Sequence, residues 1–212
     1  MIPDGILRRG QVILLTCPLL GLVFFPFSAG WAEEGSLTEG TQDAPPEEVV
    51  YSLLRGFPEA HAEKLKKGKR VKGWWTGKGF QFEDAASESA LHLFLSDQIK
   101  VGARLRQAIW FQVEPGFESS LLFRGIPPAR RLRLFYALPD EIFSKKQPAF
   151  IQMEILIGKK KIFETQTNTK GWKEKTVNLT LPFLLDRDFN LTIKVRSLDP
   201  EPKSFGVYGY IE

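Results

Sequence analysis

The residues that could do chemistry are few and poorly spaced for it. The chain of 212 residues holds two histidines and a single cysteine. His61 lies in a charged stretch. His92 lies in the apolar run "ALHLFL", where a structural histidine is the simpler reading. There is no H-x-x-x-H, no G-x-S-x-G and no glycine-rich phosphate loop. The acidic pairs Glu47–Glu48 and Glu83–Asp84 are chain neighbours, whereas glycoside hydrolysis needs two carboxyls facing each other across a sugar. The expectation is a protein that is not an enzyme.

Metal chemistry fares no better. Asp186, Asp188 and Asn190 in "LLDRDFN" alternate oxygen ligands and could contribute to a structural calcium. They lack the glycine and the distal glutamate of an EF-hand loop, so a polar hairpin turn is preferred and no cofactor is expected. The sole cysteine, Cys17, falls inside an N-terminal apolar run.

That run reads as an export signal. Arg8 and Arg9 precede an apolar stretch over residues 12–29, and small residues at Gly30 and Ala32 lead into Glu33. Cleavage after Ala32 would remove Asp4, Arg8 and Arg9, and the net charge would fall from +4 to +3. It would also remove Cys17, leaving no thiol and no disulfide. The expected location is periplasmic or extracellular in a bacterium, or membrane-anchored through residues 12–29 if that segment stays. Membrane contact is expected only in the second case.

Composition then divides the chain. Residues 33–48 carry six acids and no base, closed by Pro45 and Pro46, which reads as a flexible spacer. Residues 64–78, "KLKKGKRVKGWWTGK", carry seven bases and no acid around Trp74 and Trp75. Such a stretch could hold anionic lipid, acidic polysaccharide or nucleic acid. The preferred reading is a solvated basic turn before the first strand, with the tryptophans packed on an edge. A pI near 9.1 is too mild to argue for nucleic acid, and none is expected as a partner. The division expected is a signal or anchor over 1–32, a flexible linker over 33–79 with a short helix from Glu59 to Lys67, and a folded domain over 80–212.

From Phe80 onward the pattern has period two. Ile109, Phe111 and Val113 share a face, as do Leu132, Leu134 and Tyr136. So do Ile151, Met153, Ile155 and Ile157, and likewise Leu191, Ile193 and Val195. Turns such as "EPG", "IPPA", "LPD" and "LDPEP" break these runs. Short alternating strands with frequent turns predict an all-β fold, an antiparallel β-sandwich.

Three stretches add a resemblance. "RLRLFYALPDE", "FIQMEILIGKKKIFE" and "TKGWKEKTVNLTLPF" resemble the strands of galactose-binding-like jelly rolls, the architecture of many carbohydrate-binding modules. The resemblance runs from about residue 103 to 212. It implies a jelly roll and a carbohydrate ligand, and it carries no site residue across.

The candidate site therefore comes from alternation. Arg131, Arg133, Gln152 and Glu154 are expected to point away from the core. If their strands pair, they form a concave polar face, with Tyr208 and Tyr210 adding aromatic stacking and Arg104 and Arg106 at its rim. Trp172 is expected to seal the sandwich end, its indole N–H bonded to a loop carbonyl. The function expected is an exported, non-catalytic binding domain for a cell-envelope or extracellular glycan. The alternative is a structural or assembly subunit bound to an envelope protein partner, and a glycan-active enzyme is the less favoured third reading.

Overall fold

The computed structural model describes residues 49–83, 92–102, 104–144, 150–179 and 187–212. The proposed signal, the acidic spacer, Asp84 and Asp186 lie outside these residues. In chain order the strands are β1 (Tyr51–Ser52), β2 (His61–Lys66), β3 (Lys69–Trp75), β4 (Gly79–Phe82), β5 (Leu93–Ser96), β6 (Lys100–Val101), β7 (Arg104–Leu105) and β8 (Ala108–Val113). They continue with β9 (Glu118–Ile126), β10 (Arg131–Ala137), β11 (Ile151–Ile157), β12 (Lys160–Thr167), β13 (Lys173–Asn178), β14 (Phe189–Ser197) and β15 (Lys203–Ile211). Helix α1 (Leu53–Gly56), a following 3-10 turn (Phe57–Glu59) and helix α2 (Asp140–Ser144) complete the set.

Apart from β6 and β7, which pair only with each other, the strands form two packed sheets. A front sheet runs β12-β11-β14-β9-β2-β3, and a back sheet runs β4-β5-β8-β15-β10-β13. β3 belongs to both: Lys69–Lys72 pair with β2, and Gly73–Trp75 pair with β4. β1 takes up the end of β15, opposite Tyr210 and Ile211. From β8 to β15 the chain changes sheet at nearly every strand, and only the β11–β12 hairpin stays within one. This is the antiparallel sandwich expected from the alternation, with the jelly-roll architecture that the resemblance implies.

The residues assigned inward by period two do line the interior. Leu121, Ile155 and Ile193 of the front sheet meet Phe111, Leu134 and Val207 of the back sheet, all at 0% exposure. Full burial of such side chains contributes about 1.5–3 kcal/mol each. α1 and the 3-10 turn close one end with Leu53 and Phe57. The Phe57 ring stands edge-on to Trp75 and Phe80, with centroids 5.4 and 5.3 Å away.

Two hairpins rest on specific turn residues. Lys67 and Gly68 both have positive φ, at 45° and 83°, and Lys66 pairs with Lys69. That two-residue loop matches the right-handed twist of its strands, and glycine takes its second position without a Cβ penalty. Gly158, at φ 58°, turns β11 into β12 in the same short way.

The sandwich starts earlier than the sequence predicts. Residues 49–79, expected to be linker, supply β1, α1, β2 and β3. The helix expected from Glu59 to Lys67 is instead β2, paired on both sides. The reason is an inverted pattern. In "HAEKLK" the inward positions are Ala62 and Lys64, while Leu65 points outward. Lys64 is 1% exposed; it donates to Glu114 and lies over the Phe82 and Phe117 rings. The basic run is thus a strand hairpin rather than a turn before the first strand. Of its tryptophans, Trp75 packs inward as expected but Trp74 is 45% exposed.

Candidate functional site

The outward side chains of the front sheet fall into cross-strand rows fixed by register. One row reads Arg70, Leu65, Glu118, Arg196, Gln152, Gln166 across β3, β2, β9, β14, β11 and β12. The next reads Lys72, Glu63, Ser120, Lys194, Glu154, Glu164. The third reads His61, Leu122, Thr192, Leu156, Lys161 across β2 to β12. Neighbouring strands lie about 4.8 Å apart, so each row is a ladder of side chains at regular spacing.

These rows border a groove of about 790 Å³. Its walls include His61, Glu63, Arg70 and Lys72 from the β2–β3 hairpin, Glu118, Ser120 and Arg124 from β9, and Thr192 and Lys194 from β14. Lys159, at the β11–β12 turn, closes the far side. Leu65, Leu122 and Leu156, each half-buried, give it an apolar floor among the charges. Trp74 is exposed, but it lies beyond the point where β3 leaves the front sheet and is not among the groove's lining residues.

Its ion pairs leave cations over. Glu63 is 3.8 Å from Arg70, and Lys194 donates to Glu118 at 2.8 Å. Beside the groove, Arg196 donates to Gln152 Oε1 at 2.8 Å, and Gln152 Nε2 donates to Glu164 and, at 3.4 Å, to Glu154. Lys161 donates to Glu164 and lies 3.5 Å from Glu154. The hydrogen bond from Lys161 holds the Glu164 carboxyl below its usual range, and the same bond raises Lys161.

The expected site residues divide between the sheets. Gln152 and Glu154 stand on the front sheet, in the hydrogen-bonded patch next to the groove. Arg131 and Arg133 stand on β10, which pairs with β13 and β15 and never with β11. The expected pairing of those strands is corrected: alternation shows which way a side chain points, but not which sheet holds its strand. Arg133 bonds Glu174 of β13 at 2.7 Å.

Tyr208 and Tyr210 are also on the back sheet, and they are buried, at 1% and 7% exposure. They belong to a second core on that sheet's outer face with Val101, Ala108, Trp110, Phe135 and Ala137. Phe135 stacks on Tyr208 with centroids 4.5 Å apart. Arg106 is buried there too, donating to the Tyr208 hydroxyl, so it is not at a groove rim. Arg104 is exposed on β7. Trp172 packs edge-on to Tyr208 and Trp110, with centroids at 5.1 and 6.3 Å. It seals, as expected, but over the back sheet rather than a sandwich end. Its buried Nε1 has no hydrogen-bond partner among the described residues, in place of the expected loop carbonyl.

The β2–β3 part of the groove was missed by sequence reasoning. The available signal was "KKGK", a two-residue glycine turn between two runs of similar length. Among the described residues, no three His, Cys, Asp or Glu side chains gather as metal ligands. Asn190 is otherwise engaged, its Oδ1 accepting the Gly125 N–H at 3.3 Å.

No protein family's sequence model matches the chain, and no curated protein matches it. Several solved structures do resemble it. A module from Caldicellulosiruptor saccharolyticus, CBM27-1 in complex with mannohexaose, has 11% identity and a TM-score of 0.43 over 59% of this chain and 86% of that one. CBM51 from Clostridium perfringens, in complex with methyl-galactose, has 17% identity and a TM-score of 0.37, covering 64% and 90% of the two chains. TmCBM61, in complex with beta-1,4-galactotriose, has 15% identity and a TM-score of 0.38, covering 77% and 99%. These are similarities of fold to β-sandwich carbohydrate-binding modules. Some other similar chains are enzymes, among them a secreted serine protease from Vibrio cholerae.

Proposed function

We propose that the chain is an exported, non-catalytic carbohydrate-binding domain that holds a glycan in the front-sheet groove. The observation carrying this reading is the groove itself. Five neighbouring strands present hydrogen-bonding side chains in fixed rows, with leucines between them. A sugar has polar hydroxyl edges and an apolar C–H face, and it needs both kinds of contact. Placement on sheet strands rather than loops holds these groups rigidly.

The carboxylates support a binding role over hydrolysis. Glu154 and Glu164 face each other across β11 and β12, but Lys161 bridges both and holds Glu164 in its ionised form. A general acid for glycoside cleavage needs the opposite, a raised pKa.

A glycan array probed with the full chain tests this. The expected result is binding to at least one glycan class, weakened several-fold in Leu122→Ala and in Arg70→Gln, both on the groove wall, while the circular dichroism spectrum is unchanged. Absence of binding to any glycan, or binding that both variants retain in full, would overturn the proposal.

A further inference from the structure

The charges of the groove specify its ligand more narrowly. Its walls carry five cations, Arg70, Lys72, Arg124, Lys159 and Lys194, against two carboxylates, Glu63 and Glu118. Both carboxylates already face a cation, Arg70 for Glu63 and Lys194 for Glu118. Lys72, Arg124 and Lys159 have no carboxylate partner among the described residues. They are spread across the sheet. β3 and β9 are separated by β2, and β9 and β11 by β14, so each step between these cations spans about 10 Å across the strands.

We infer that the groove takes an anionic glycan, a sugar chain carrying carboxylate or sulfate groups at intervals. This rests on the glycan-binding reading above and names its ligand class. Three unpaired cations around one groove repel one another, and an anionic ligand relieves that repulsion as it binds. A neutral glycan would leave it in place. A row of separated cations suits a repeated charge along a polymer better than a single compact anion. Charge-assisted hydrogen bonds from lysine and arginine are the stronger kind, and the leucine floor limits their competition with water. The sheet spacing also favours an extended chain lying across the strands.

The test uses two matched pairs of polymers with the full chain in titration calorimetry. Polygalacturonate is compared with its methyl ester, and dextran sulfate with dextran, so the arms separate carboxylate from sulfate. The expected result is binding to at least one charged member and at least about tenfold weaker binding to its neutral partner. Binding to the charged member should weaken as salt rises. Lys72→Gln, Arg124→Gln and Lys159→Gln should each lower affinity several-fold. Lys173→Gln with Lys175→Gln, on the exposed edge strand β13, should not.

Equal affinity for charged and neutral members overturns this inference and leaves the glycan-binding reading standing. Equal losses in the groove and edge-strand variants overturn it too, since net charge alone would then explain the binding. A DNA oligonucleotide bound as tightly as the charged glycan also overturns it. No binding to any of the four polymers, together with an empty glycan array, removes both readings.

Discussion

Lys64 donates to one oxygen of Glu114 at 3.2 Å, and the other oxygen of the same carboxylate lies 3.4 Å from His92 Nδ1. The carboxylate of the residue after β8 thereby lies between a buried lysine of β2 and the residue before β5. The lysine's methylenes pack while its ammonium stays paired.

This pair predicts a graded loss of stability. Lys64→Ala removes both the ion pair and the contacts over Phe82 and Phe117, and should cost about 2–4 kcal/mol. Lys64→Met keeps most of the packing and should cost less than half of that. The range stays below that of a wholly enclosed pair because Glu114 is 32% exposed. Urea denaturation of both variants checks the order; equal losses would show that the charge, not the packing, dominates.

Gly206 lies opposite Trp110 across β15 and β8. A Cβ there would come within 2.7 Å of the indole ring, closer than carbon atoms tolerate. Gly206→Ala should therefore push Trp110 out of the back-sheet core and cost about 1–3 kcal/mol. A lower Tm and a red-shifted tryptophan emission are the expected readouts, and an unchanged emission would contradict the packing described.

Glu164 should titrate below an ordinary glutamate because Lys161 hydrogen-bonds its carboxylate. A depressed folded-state pKa stabilises above the unfolded pKa, and that contribution disappears as pH falls through the folded value. Carboxyl NMR titration should show the low value in the native chain and its return toward normal in Lys161→Met.

Tyr51 has the opposite sign. Burial first, and then Glu59, raises its pKa above the ordinary 10.0. The folded chain holds this proton more tightly, so the stabilisation is complete below pH 10 and is lost as pH rises through the folded value. Tyr51→Phe cannot ionise there, so its urea midpoint should fall less than that of the native chain between pH 9 and pH 11.

How legible the molecule was in its sequence depended on whether strands obeyed the simple alternation. β11 and β14 did, since Ile151, Met153, Ile155 and Ile157, and then Leu191, Ile193 and Val195, are inward without exception. Their period gives the sandwich directly. β2 did not, because Lys64 is inward and Leu65 outward, and the compensating partner Glu114 is fifty positions away along the chain. Half of the candidate site was lost with it. The other half was placed by facing direction alone. Gln152 and Glu154 do reach the front sheet, but Arg131 and Arg133 reach the back one, since pairing between distant strands leaves no local trace. The burial of Tyr208 and Tyr210 was hidden for a related reason. Their strand is covered on both faces, and Phe135, Trp110 and Trp172 form the outer cover from other elements.

β3 gives the front and back sheets a common boundary. Its first half forms a wall of the groove through Arg70 and Lys72, and its second half is hydrogen-bonded to β4. Local opening of that wall cannot be confined to one sheet, because freeing the amides of Lys69–Lys72 strains the same continuous backbone that pairs with Phe80 and Phe82. Amide protection should accordingly rise and fall as one block from β2 through β4. Whatever stiffens the groove will register on the opposite side of the molecule as slower exchange.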